Sequence, residues 1–453
     1  MRAPSGGVRR GDPANADIIV SAMSDRGIDP FVRRELDALI AENQRLNEAL
    51  LDLERVPTLL RRTAGAFTRP VRRYLGRRSP PGTVAPAPHA PYVAHVPRAS
   101  QDAATVLHVI GNMYTGGSAR LVVDLAERLG DEFDHVVVAR DLPAEPHYVG
   151  VRVVPTVEGA AAEALARLNP ALVHIHFLGH HRHAYSELDW RWYRDWFLAA
   201  AAAGIPVVEN VNIPIPPYLD ENVRAYVFVS DFVRRVFAPE GAPSVTIHPG
   251  SDFSRFTSDP AAAPRRECVG MVYRLEKDKI DERAIDVLTV ILQRRPGARG
   301  LVVGGGRLLE QFRAAVHAAG VASRVTFTGY VGYDELPGLY RELTLFVAPV
   351  HTESFGHVVP LAMGVGIPVV AWNTGALQEI LGCDAMLAPA GDVEALADLA
   401  AGLLADPGRA RTIGDANRRR AHAMFSVEAM VENYRHLYQS VLHDSTADFF
   451  AGG

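Results

Sequence analysis

Lysine is nearly missing from this chain. Of 47 basic residues in 453, only Lys277 and Lys279 are lysine; the rest are arginine. An ammonium binds phosphate as a compact point charge, whereas a guanidinium needs room for its planar fork. The two lysines therefore mark a candidate anion site, with chance survival as the competing reading, stronger for Lys277 than for Lys279. Cysteine is just as scarce. Cys268 and Cys383 stand far apart, which argues against a disulfide framework and fits a reducing cytoplasm. No apolar run approaches the roughly 20 residues of a spanning helix, and the N-terminus lacks a signal-peptide apolar region, so a cytoplasmic protein is expected. Nor is there an excess of positive charge: a net charge of −5 gives no reason to expect nucleic acid as a partner. Hydrophobic content of 48% and charge of 22% are ordinary for a globular protein, and the length suggests two or three domains.

The first hundred residues differ from the rest. Residues 1–30 are polar and aperiodic and read as disordered. Between 31 and 57, Val32, Leu36, Leu39, Asn43, Leu46, Leu50 and Leu53 alternate steps of four and three, and Pro57 ends the helix. Two readings fit. One is a short coiled coil through residues 32–53, with Asn43 at a buried position favouring a parallel homodimer; the other is a helix packed on its own globular domain. Residues 61–78 carry seven arginines and no acid, with Phe67, Val71, Tyr74 and Leu75 between them. That pattern suits peripheral contact with an anionic membrane surface, at its inner face in a cytoplasmic protein. A flexible basic arm without a partner is the alternative. This arm and a Pro/Ala linker fill residues 58–103.

From Thr105 onward, short apolar runs alternate with helical segments, and the alternation occurs twice. The pattern predicts an α/β protein of two Rossmann-like parallel-sheet domains facing a cleft, the first over 104–250 and the second over 265–424. In the first, a strand at 106–110 is followed by a glycine loop at 111–117 and a helix at 119–129. His174 and His176 share one face of a strand at 172–177, because side chains alternate. Residues 179–183 hold three more histidines. With no carboxylate or cysteine at ligand spacing, they read as a polar loop rather than a metal site. Trp190, Trp192, Tyr193 and Trp196 lie around a helix and are expected in the core. In the second domain a strand at 269–273 leads into Arg274, Leu275, Glu276, Lys277, Asp278 and Lys279.

Residues 345–381 organise the second domain. An apolar strand-length run is followed by a loop with Thr352, Glu353, Ser354 and Gly356, an apolar helix ending in Gly364 and Gly366, and a second strand at 368–372. In a parallel sheet, ligands collect where strands hand over to helices, and a helix start with a glycine suits a phosphate. Here the chain resembles the retaining glycosyltransferases of family four, which have the GT-B fold. Glu353, Phe355, Gly356, Ala362, Met363, Gly366, Pro368, Val369, Val370, Gly375 and Glu379 all match that family's signature. Leu361 departs from it, standing where the family has a second glutamate that holds the nucleotide ribose.

The resemblance implies roles for particular residues. Arg274 and Lys279 would lie on the donor diphosphate, although Tyr273 and Ile280 replace the family's flanking glycines. Glu353 would position the donor sugar, and His176 would lie near it. Gly116 and Gly117 would close on the donor phosphates, Gly305 and Tyr330 would line the base, and Ser354, Phe355, Gly356, His357 and Glu379 would complete the donor site. The helix at 425–443 would pack back across a hinge near 250–264. The implied reaction moves a sugar from a nucleotide-sugar to an acceptor hydroxyl with retention, without a metal or other cofactor, on an acceptor that in this family is often lipid-linked. Two other readings remain: a catalytically idle scaffold at a membrane assembly, and a nucleotide-sugar epimerase.

Overall fold

The computed structural model describes residues 103–445, except for 115, 144–147, 149, 178–186, 257–266 and 278. The expectations for residues 1–30, for the helix at 31–57, for the basic arm and linker and for the histidines at 179–183 lie outside the described residues.

Two parallel sheets are present. The first is built from β1 (Thr105–Asn112), α1 (Gly117–Leu129), β2 (Asp134–Asp141), β3 (Arg152–Pro155), α2 (Ala161–Leu168), β4 (Leu172–Phe177), α3 (Glu187–Ala203), β5 (Val207–Val211), β6 (Val223–Phe228), α4 (Asp231–Phe237) and β7 (Ser244–Thr246). Its strand order is β3-β2-β1-β4-β5-β6-β7. The second contains β8 (Cys268–Val272), α5 (Arg283–Arg294), β9 (Arg299–Val303), α6 (Leu309–Ala318), β10 (Val325–Phe327), α7 (Leu336–Glu342), β11 (Leu345–Ala348), α8 (Val358–Val365), β12 (Val369–Trp372), α9 (Leu377–Leu381), β13 (Leu387–Ala388), α10 (Val393–Ala405) and α11 (Pro407–Met424). Its order is β10-β9-β8-β11-β12-β13. The strand order reverses between β1 and β4 in one sheet and between β8 and β11 in the other, and such points open a crevice at the carboxyl ends of the strands. The central strands are mostly apolar, as sheets covered on both faces require, and every residue of β4, β8 and β11 is buried, including His174 and His176 of β4.

The final helix, α12 (Val427–Leu442), returns to the first sheet. Its residues Val427, Met430, Val431, Tyr434, Leu437, Tyr438 and Val441 recur at helical spacing and pack with Val106 of β1, Leu172 of β4, Val208 of β5 and Leu125 of α1. Burying each large apolar side chain is worth about 1.5–3 kcal/mol, so this stripe fixes the helix. The exposed pairs Arg128–Glu428 at 3.1 Å and Arg435–Glu132 at 2.7 Å add little by comparison. Where the chain leaves the first domain, Ser251 pairs with Ser426, and a Cβ on Gly250 would stand 2.5 Å from the Val427 Cα. Only glycine allows that approach.

One element departs from expectation. Gly117 opens α1 rather than closing the preceding loop, and Gly116 caps it in extended conformation. Trp192, Tyr193 and Trp196 are core residues, at most 1% exposed.

Under α12 the first sheet carries four buried histidines: His108 on β1, His135 on β2, and His174 and His176 on β4. Burial pushes His135 down to about 4 and His176 to about 3, and lowers His108 and His174 well below the ordinary value of 6.5. Tyr434, Tyr438 and Asn210 face them, and none of the three supplies a negative charge. The folded state therefore resists protonation that the unfolded chain accepts. Stability is complete above pH 6.5 and is lost as pH falls toward 3, by up to about 1.4 kcal/mol per pH unit for each histidine. The melting temperature should be flat above pH 7 and fall steadily between pH 6.5 and 5. A flat profile down to pH 5 would contradict this account.

Candidate active site

The carboxyl ends of β8 and β11 supply the central residues of the site. After β11 the chain turns so that Glu353 points inward, 2% exposed. Two glycines make room for it. A Cβ on Gly375 (φ +53°) would lie 2.0 Å from the Glu353 carbonyl oxygen, and one on Gly356 (φ +71°) would lie 2.3 Å from its carboxylate. Both positions are left-handed and suit glycine. The backbone N–H of Ala376 donates to the Glu353 carbonyl at 3.0 Å. The Lys279 ammonium donates to Glu353 Oε1 at 2.6 Å, with the lysine side chain 28% exposed.

The segment carrying Lys279 is fixed from two sides. The His351 N–H donates to the Lys279 carbonyl at 3.2 Å, and His351 Nε2 bonds the Lys277 carbonyl at 2.9 Å. On the other side the Leu275 N–H donates to Gly305 O at 2.9 Å, and the Leu308 N–H donates to Leu275 O at 3.0 Å. This seats the 304–306 turn against the Arg274 loop so tightly that a Cβ on Gly304 would fall 1.9 Å from the Tyr273 carbonyl. Arg274 is exposed at this rim. The Tyr330 ring lies over Gly305, 2.7 Å from where its Cβ would be, and is 70% exposed. Tyr273 and Ile280, in place of glycines, are buried at 7% and 0% and serve as core.

Residues of the two sheets meet here. His357 precedes α8, and its Nε2 stands 3.3 Å from where a Gly117 Cβ would be. Burial lowers its pKa to about 4, so the imidazole is neutral at pH 7. Phe355 is 3% exposed and packs on His248 and Phe425, with ring centroids 5.7 and 5.5 Å apart. Ser354 is half-buried between Glu353 and Phe355. The structure thus gathers Gly116 and Gly117 with the 353–357 loop, and Arg274 and Lys279 with Gly305 and Tyr330.

Two residues named from the sequence are engaged by other parts of the protein. Glu379, at the start of α9, accepts the backbone N–H groups of Asp231 (2.8 Å) and Phe232 (2.9 Å) at the head of α4, and pairs with His248 Nε2 at 2.6 Å. Both its oxygens are taken up in joining the second domain to the first. His176 is fully buried among the histidines under α12, bonded to His108 at 3.2 Å, and presents no accessible atom to a sugar. Leu361 is 3% exposed inside α8 and belongs to the apolar core.

Sequence reasoning did not assign Gly375 its part in seating Glu353, nor the Glu379–His248–α4 junction. Gly375 stood in the matched signature, but that Glu353 lies against it follows only from the fold.

Residues 266–406 match the family described as Glycosyl transferases group 1. The second domain belongs to that family. A GDP-mannose-dependent alpha-(1-6)-phosphatidylinositol monomannoside mannosyltransferase of Mycobacterium tuberculosis is 34% identical over 212 residues, covering 42% of this chain and 55% of that protein. The lipopolysaccharide core biosynthesis mannosyltransferase LpsB of Rhizobium meliloti is 30% identical over 188 residues, 40% of this chain and 53% of its own. The chain spans about half the length of the curated relatives it matches. Among solved structures, the Anabaena protein HepE in complex with UDP superposes with a TM-score of 0.61 at 19% identity, over 74% of this chain and 100% of that one. At that identity the likeness establishes the shared GT-B fold. Among the described residues no helix is long and apolar enough to cross a membrane.

Removing Lys279 would leave the Glu353 carboxyl buried without its cation. Lys279→Met should destabilise the protein by about 1–3 kcal/mol, below the range for a fully buried pair because the lysine is partly exposed. Lys279→Met/Glu353→Gln should recover most of that loss in urea denaturation. A single variant as stable as the parent would mean that the pair contributes nothing to the fold.

Proposed function

We propose that the chain is a glycosyltransferase that moves a sugar from a nucleotide-sugar to an acceptor hydroxyl with retention of anomeric configuration. The observation that carries this reading is the Lys279–Glu353 pair at the β8/β11 switch point, bordered by the first turn of α8 and the 304–306 glycine turn. As the sugar–phosphate bond breaks, negative charge grows on the leaving diphosphate. Lys279, Arg274 and the first-turn N–H groups of α8 are the groups that stabilise it. Glu353, held by two glycines, is placed to accept donor-sugar hydroxyls once Lys279 turns to phosphate. Neutral His357 beside Gly117 contributes a polar group from the side where the first domain approaches. Charge stabilisation of this kind asks no metal of the transfer step.

The mannosyltransferase relatives point to a mannose-type donor and a glycolipid acceptor. The arginine-rich segment 61–78 fits contact with an anionic membrane surface in that setting, on the cytoplasmic side, and the heptads at 32–53 fit self-association. Leu361 leaves no carboxylate in α8 for a ribose.

Thermal shift with UDP, GDP, ADP and TDP, followed by turnover with the matching nucleotide-sugar, tests the reading. One nucleotide should raise the melting temperature, and Lys279→Ala, compared with its own ligand-free form, should lose that shift. Turnover should fall about 100-fold or more in Lys279→Ala, the scale of losing a preorganised charge. Leu361→Glu should strengthen nucleotide binding if a ribose contact is lacking. No shift with any nucleotide would favour the scaffold, and nucleotide release without an acceptor would favour the epimerase.

A further inference from the structure

The four histidines under α12 are not used by the proposed chemistry, and their hydrogen bonding does not close. His108 Nε2 bonds His135 Nδ1 at 2.9 Å, and His108 Nδ1 bonds His176 Nε2 at 3.2 Å. Each neutral imidazole carries one N–H and one lone pair. Whichever way the protons run along His135–His108–His176, one end of the chain is left with an N–H and the other with a lone pair. These ends are His135 Nε2 and His176 Nδ1, both buried without a partner, and His174 Nε2 is a third such atom. Leaving buried polar groups unmatched is costly. A sheet face that needed only packing would carry valine or isoleucine there.

One arrangement of protons turns three lone pairs toward a common point, leaving only the outer N–H groups of His135 Nε2 and His176 Nδ1 without a partner. If His108 Nε2–H donates to His135 Nδ1, the His108 Nδ1 lone pair is freed toward His176 Nε2. If His174 Nδ1–H donates to the Tyr438 hydroxyl at 2.7 Å, its Nε2 lone pair is freed as well. A ring nitrogen from each of His108, His174 and His176 lies within 4.8 Å of the other two. The 3.2 Å between His108 Nδ1 and His176 Nε2 is close to the edge of about 3.3 Å of a tetrahedron with zinc–nitrogen bonds of 2.0–2.1 Å. His135 and Tyr438 then play the part of outer partners that orient metal-binding imidazoles.

We propose that His108, His174 and His176 form a buried site for a divalent transition-metal ion of the zinc type, which rivets α12 to the first sheet. The ligand set is all imidazole and contains no carboxylate, which selects zinc, cobalt, nickel or copper over magnesium or calcium. Three neutral ligands leave the ion's charge uncompensated, so a hydroxide is the fitting fourth ligand, since zinc lowers the pKa of its bound water to about 7. The ion spans β1 and β4, and through Tyr438 it reaches the helix that returns from the second domain. Its role is structural and separate from sugar transfer.

The test is the metal content of the full-length protein, purified in metal-depleted buffer with zinc, cobalt, nickel or copper offered in turn. About one ion per chain is expected, together with a higher melting temperature and, for cobalt, the visible absorption of a four-coordinate ion. His176→Gln and His174→Gln should lose the ion while circular dichroism stays that of the parent. The triple variant His180→Ala/His181→Ala/His183→Ala should keep it. The wild-type measurement decides even if the single variants fail to fold. No stoichiometric ion in the wild type, an ion retained by His176→Gln, or one lost from the triple variant would each overturn the site and leave the cluster a hydrogen-bonded histidine ladder.

Discussion

Placing the Glu353 carboxyl at 2% exposure costs free energy, and the Lys279 ammonium at 2.6 Å offsets it. Much of the second domain's local geometry serves that contact. Gly356 and Gly375 are glycines because the glutamate lies against them, and the 274–280 loop is sewn to the end of β11 so that the lysine arrives. Neither partner could be moved a residue along the chain without leaving the other buried alone. In the proposed reaction the same pair separates as the donor enters, with phosphate taking the cation and sugar hydroxyls taking the carboxylate.

The two sheets were legible in the sequence because their central strands are short apolar runs and glycines mark their ends. α12 was legible for the same kind of reason, its apolar residues falling on one stripe. What escaped notice was α11, whose sequence PGRARTIGDANRRRAHAM has no such stripe. It buries small or polar residues, Gly414, Asn417 and Ala421, and a Cβ on Gly414 would strike the Gly366 carbonyl at 2.1 Å. The tightness of a backbone approach is invisible to hydrophobic periodicity. β3 escaped because four residues carry too little pattern to read.

In the site, residues close together in the chain were the easier part. The 353–357 loop and the Arg274–Lys279 segment are each local, and adjacent strands bring them side by side. Long-range partners were harder. His174 and His176 could be placed on one face from strand alternation, but His108 and His135 join them only through the order β2-β1-β4. That made His176 look like a residue of the cleft when its neighbours are in the core. The partners of Glu379 were hidden for a related reason: its position in a local signature does not reveal that α4, almost 150 residues earlier, turns two N–H groups toward it.

Glu379 lies four residues beyond Gly375, in the first turn of α9, directly after the short connection from β12 that seats Glu353. The contact that joins the second domain to the first and the seat of Glu353 are thus about one turn of chain apart. In the proposed reaction, the residue placed to accept sugar hydroxyls therefore shares its support with the joint between the domains.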